Sequence, residues 1–204
     1  VKYVFENDSE HIKDGVNNEW IFIDEVMIER CEYQAPTVSV VEGTLAKKDV
    51  LVDGEYGITD MTGEKWRQVV AECNGADFAF VVDYGKEKTF DTISLGAFEC
   101  LTSGIVAPSQ VTISVSNDNE TFTPLTVIKA DDNHPSTASY ERLMASVEST
   151  TARYVKVNVT NYGKVVGGNG KLSDSWVMLD EFETYQTVQI APFKNIAKGK
   201  AAYA

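Results

Sequence analysis

Apolar and polar residues alternate with a period of two through most of the middle of the chain. Residues 77–83 alternate ahead of a Tyr84-Gly85-Lys86 turn, and residues 90–95 follow with Ile93 and Leu95 on one face. Residues 110–116 alternate strictly and end in the turn cluster Asn117-Asp118-Asn119. Further strands are predicted over residues 122–128, 138–147, 154–159 and 176–184. Only residues 139–146 also fit a helical turn. Many short strands and no long amphipathic helix predict an all-β sandwich of about eight or nine antiparallel strands.

A second regularity lies outside that stretch. Lys2-Tyr3-Val4 matches Arg153-Tyr154-Val155, and Trp20, three apolar residues and Asp24-Glu25 match Trp176, three apolar residues and Asp180-Glu181. The later copy carries the longer intervening loop. A separation of about 150 residues is domain-sized and too long for a solenoid repeat. The expected organisation is a string of similar modules. Residues 1–33 are the closing strands of one, 34–190 a complete one, and 191–204 a linker and the start of a third. The apolar residues of the first segment, Tyr3 and Trp20 among them, then need packing partners, because a two-stranded hairpin is marginal alone, and Trp20 is expected to be buried as Trp176 is.

Composition narrows the partners. The 204 residues carry 31 Asp and Glu against 18 Lys and Arg, a formal charge of −13. No basic stretch offsets it, so neither nucleic-acid binding nor attachment to an anionic membrane is expected. No apolar run has the ~20 residues of a membrane-spanning helix. The three cysteines form no Cys-x-x-Cys pair, which removes zinc ribbons and thioredoxin-type sites. Cys73 and Cys100 read as buried thiols, with a bridge between them as the alternative. His11 and His134 lie too far apart in sequence to support a histidine metal site or a Ser-His-Asp triad.

The order of motifs resembles a known family. Leu51-Val52-Asp53-Gly54, Trp66 and the run from Phe80 through Asp83 to Lys86 resemble the progression of discoidin modules. These are also called coagulation factor V/VIII type C domains, and they include family 32 carbohydrate-binding modules. Ile93-Ser94-Leu95, residues 111–118, Arg153-Tyr154-Val155 and Asp180-Glu181-Phe182-Glu183 match later strands, and Asn195 to Lys200 resembles a module opening. Tyr33-Gln34-Ala35-Pro36 departs from that opening, which implies a divergent subgroup. The resemblance implies a discoidin-like jelly-roll sandwich. It also implies a non-catalytic, glycan-anchoring role in an extracellular, secreted or cell-surface protein of several modules, such as a bacterial glycoside hydrolase or adhesin. The alternative is a spacer or protein-interaction module without a sugar site.

The resemblance further implies a structural calcium ion. Asp53 and Glu181 are the matching side chains, with Asp60 and Thr62 as further candidates; the ion's preference for six to eight hard oxygens suits such a loop. Sugar binding is implied at loops on one end of the sandwich, where Trp66, Arg67, Phe98, His134 and Tyr162 supply stacking rings and hydrogen-bonding groups. Trp66 alternatively reads as a core residue, and His134 as surface. Asp180 and Glu181 are adjacent strand residues expected on opposite faces, so they do not read as an acid/base pair. Asp131 and Asp132 read as solvated loop acids. The turn at Gly167-Gly168-Asn169-Gly170 lacks the Lys-Ser/Thr and helix of a phosphate loop.

Overall fold

A computed structural model describes residues 35–187. The expected packing of Trp20 and Tyr3, and the module boundaries on either side, lie outside the described residues. Among the described residues nine strands form: β1 (Thr37–Glu42), β2 (Ala71–Asn74), β3 (Phe78–Glu99), β4 (Gln110–Ser116), β5 (Thr123–Lys129), β6 (Ser139–Thr160), β7 (Lys164–Val166), β8 (Leu172–Asp174) and β9 (Trp176–Tyr185). One four-residue helix, α1 (Lys65–Gln68), precedes β2. All strand pairs are antiparallel.

Two strands of 22 residues each, β3 and β6, organise the fold. They pair along their whole length, from Phe78↔Val159 to Glu99↔Ser139, and they bend midway. Register shifts at Asp83/Lys88 and Phe90/Thr92 mark the bend, as expected where strands pass from one layer to another through bulges. In the first layer, residues 79–83 pair with β1, while β4 pairs with the second half of β6 and β5 pairs with β4. In the second layer, residues 92–98 pair with β9, and β9 pairs with β2. Facing rings close the sandwich. Phe80 of the first layer meets Phe182 of the second edge-on, with centroids 6.1 Å apart at 85°.

The all-β sandwich and its strand count are as the alternation predicts, but two boundaries differ. Tyr84-Gly85-Lys86 does not end a strand. It forms an excursion inside β3, with Gly85 at φ 73° and its N–H donated to Asp83 Oδ1 at 2.7 Å. Residues 138–147 and 154–159 are one strand, β6, and the helical alternative for 139–146 falls away. Cys73 and Cys100 are free, buried thiols.

Beside the main core lies a second apolar cluster at one end: Trp66, Val70, Phe98, Cys100, Ile105 and Met178, with Met61, Tyr140 and Trp176 packed against it. It seats the connecting loops. Phe80→Ala, which empties the contact between layers, is expected to cost about 3–5 kcal/mol in urea denaturation. Val127→Ala, on a half-exposed side chain of the edge strand β5, is expected to stay within about 0.5 kcal/mol of the parent.

Candidate functional site

Four loops build the end of the sandwich that the second cluster supports. Trp66 sits on α1, almost wholly buried, with the Phe98 ring 5.3 Å beneath it and Tyr140 a further 5.1 Å from Phe98. Residues 100–106 fold back on themselves. Cys100 and Ile105 exchange both backbone hydrogen bonds, and Gly104 takes the left-handed φ of 74° that closes the turn. The N–H of Trp176 donates to the Gly104 carbonyl at 2.9 Å, and Val106 N–H donates to the Trp176 carbonyl at 3.1 Å, so β9 begins strapped to this turn.

Between these elements is a cavity of about 240 Å³ lined by Met61, Trp66, Arg67, Ser103, Ile105, Trp176 and Met178. The Arg67 guanidinium lies 5.7 Å from the Trp66 ring centre and bonds Glu72 at 2.8 Å. Burial alone would raise the Glu72 carboxyl; hydrogen bonds from Arg67 and Lys47 outweigh it and hold the group below its usual range. The cavity is therefore apolar and aromatic, with a fixed cation and one hydroxyl on its wall. Such a lining suits a ligand with one apolar face and a few hydrogen-bonding groups.

The expected contact residues separate into two groups. Trp66 and Arg67 line the cavity. Phe98 is fully buried beneath Trp66 and supports it, so its assignment as a ligand contact is corrected. His134 is neither surface nor part of the cavity. Its Nδ1 lies 2.6 Å from Glu99 Oε2, both side chains are 5% exposed, and the Tyr162 ring meets it edge-on at 4.5 Å. Glu99 also accepts the Ala107 N–H at 3.0 Å. This buried pair ties the 131–137 and 161–163 loops to the foot of the 100–106 turn, and neither His134 nor Tyr162 lines the cavity. Asp131 and Asp132 are exposed. Sequence reasoning missed Trp176 and Ser103. Trp176 marks the internal repeat and reads as core, but as the first residue of its strand it remains half-buried and faces the cavity.

The second constellation surrounds the loop at residues 53–57. β9 carries an extra residue opposite Gly96, since Leu95 pairs with Phe182 while Ala97 pairs with Leu179. This bulge breaks the strict alternation expected of Asp180 and Glu181. Both are buried, and both reach the same loop: Glu181 accepts the Gly54 N–H and Asp180 the Gly57 N–H at 2.8 Å. Burial, with the charges of Asp53, Glu183 and Asp180 adding to it, pushes the Glu181 carboxyl up to about 7 against the opposing Gly54 hydrogen bond. A buried carboxylate so placed beside Asp53 fits a hard divalent cation. Among the described residues no three His, Cys, Asp or Glu side chains converge, so backbone carbonyls and water would complete its shell. Asp60 and Thr62 fit less well. The Thr62 hydroxyl and N–H both donate to Asp60 Oδ1, at 2.6 and 2.9 Å, which closes a local turn and holds the Asp60 carboxyl below its usual range.

No family model matches the chain, and no curated protein matches it. Similar solved structures include a family 32 carbohydrate-binding module, CpGH89CBM32-6, produced by Clostridium perfringens. It has a TM-score of 0.44 at 16% identity, over 76% of this chain and 97% of that one. The CBM32 of AlyQ in complex with 4,5-unsaturated mannuronic acid gives 0.47 at 17% identity, over 78% and 100%. A Ruminococcus gnavus GH29 fucosidase in complex with fucose gives 0.47 at 18% identity, over 76% of this chain and 26% of that one. No ligand or site residue carries over at these scores.

Gly96 is the position on which the bulge depends. A Cβ there would stand 1.5 Å from Asp180 Oδ1 and 2.7 Å from Arg142 Nη1. Gly96→Ala is therefore expected to lower stability by about 1–3 kcal/mol in thermal or chemical denaturation. Unchanged stability would mean that the bulge is not built as described.

Proposed function

We propose that this chain is a non-catalytic carbohydrate-binding module that holds a larger extracellular protein on glycans. The observation that carries the reading is the cavity at the loop end, where Trp66 and Trp176 flank Arg67 and Ser103. The half-buried Trp176 indole offers a face to the apolar side of a pyranose, the more deeply buried Trp66 offers part of its ring, and a guanidinium beside a hydroxyl supplies directed donors for the sugar oxygens. The motif order from Leu51 to Glu183 points the same way. Binding at one small cavity is weak, so anchoring by several linked modules, as the repeat implies, would multiply apparent affinity ~10²–10⁴-fold.

The spacer or protein-interaction reading draws on one observation. The cavity wall offers few polar side chains, and Arg67 is already bonded to Glu72. A glycan array followed by calorimetry separates the two. The sugar-binding reading expects a glycan hit whose affinity falls roughly thirtyfold or more in Trp176→Ala, the loss of about 2 kcal/mol typical of a buried aromatic contact. An array without hits favours the spacer.

We also propose calcium as a structural cofactor, bound by Asp53 and Glu181. Loop oxygens and two carboxylates suit the ion, and the millimolar calcium outside cells suits a site of modest affinity. When bound, the ion would neutralise Glu181 and fix residues 53–57 against β9. At calcium concentrations about 100-fold above Kd the protein should gain about 2.7 kcal/mol, seen as a raised Tm that chelator reverses. Glu181→Gln should abolish the gain; an equal gain in that variant would remove Glu181 from the site.

A further inference from the structure

The 53–57 loop is held to β9 by more than Glu181. Asp180, one residue earlier, accepts the Gly57 N–H at 2.8 Å, and Glu183, two residues later, accepts the Tyr56 hydroxyl at 2.7 Å. Both acids are gripped by one guanidinium. Arg142 Nη1 donates to Asp180 Oδ1 at 3.2 Å and reaches the Glu181 carbonyl at 3.5 Å, and Nη2 donates to Glu183 Oε2. The same guanidinium lies 5.1 Å from the Tyr56 ring centre, so it also stacks on the loop it helps to hold.

Arg142 belongs to β6, which is not a neighbour of β9 in the sheet. β3 runs between them, and the residue of β3 opposite Arg142 is Gly96. Because Gly96 has no side chain, the arginine passes over β3 and meets the bulge on its far edge. One glycine, one bulge and one arginine from three successive strands thus form a single device.

We infer that Arg142 is the positioning residue of the cation loop. It engages Asp180 and Glu183, which in turn fix Gly57 and Tyr56, and it thereby leaves Asp53 and Glu181 as the carboxylates that meet the ion. The inference rests on the calcium reading of those two residues. Arg142 itself touches no cation. It acts as outer partners of metal ligands do, by fixing the geometry the ligands adopt before the ion arrives. Its planar fork and its stacking on Tyr56 are both needed, so lysine is not an equivalent replacement.

The test uses the whole chain, with calcium calorimetry and hydrogen exchange at the Gly57 amide in chelator. Arg142→Gln should weaken calcium binding roughly 10- to 100-fold and speed Gly57 exchange even without calcium. Arg142→Lys should restore part of each. Tyr56→Phe, on a side chain exposed enough to leave folding intact, removes the hydroxyl bond to Glu183 without altering charge and should weaken calcium binding in the same direction. Two results overturn the positioning role: unchanged calcium affinity in both Arg142→Gln and Tyr56→Phe, or Gly57 exchange in Arg142→Gln as slow as in the parent. A parent protein that takes up no calcium overturns the cation reading instead, and the exchange rates then decide separately whether Arg142 holds the loop.

Discussion

The structure depends on the continuous pairing of β3 with β6 through the bend between layers. A two-stranded ladder that long would by itself make a twisted ribbon exposed on both faces. Here the register shifts around residues 83–92 turn the ribbon so that its two halves face each other, and Phe80 and Phe182 meet across the gap. β1, β4 and β9 add to the edges of this folded ribbon, β5 and β2 extend it through β4 and β9, and β7 and β8 form a small sheet of their own. The cost of the arrangement is an end where β3 and β9 leave the sheet through loops, and that end is where aromatic side chains gather.

The two candidate sites divide the work of loop control. At the cavity, loops are held by apolar packing and by a buried carboxylate–imidazole pair: Phe98 beneath Trp66, Glu99 with His134, and the strap between Gly104 and Trp176. Around the 53–57 loop the ties are hydrogen bonds from the loop to three carboxylates of β9, two of which share one arginine. Packing can hold the first group without help. The second buries the Glu181 carboxyl where its ionised form is disfavoured, and a cation there would offset that penalty.

Much of the fold was legible because alternation reports a half-buried strand directly, as at residues 110–116, where the expected and observed strands coincide. The places where the reading failed share a cause. Tyr84-Gly85-Lys86 has turn chemistry, yet the chain continues in the same strand, since a bulge and a turn ask the same of glycine. Asp180 and Glu181 were placed on opposite faces by a period that the bulge at Gly96 suspends. At the cavity, the resemblance pointed to Trp66 and Arg67, which line it, but a local sequence does not say which rings are stacked below others. Phe98 and His134 were thus expected at the surface of a site they support from within, and Trp176, expected in the core, lines it.

The most direct test of the central claim is the indole N–H spectrum of the folded chain titrated with glycans. Trp66 and Trp176 are the rings that flank the cavity. Sugar binding there predicts that a bound glycan shifts both indole resonances together, saturably and with one dissociation constant. A glycan that binds while leaving both resonances unmoved would contradict the site, and a broad panel that moves neither would contradict the function.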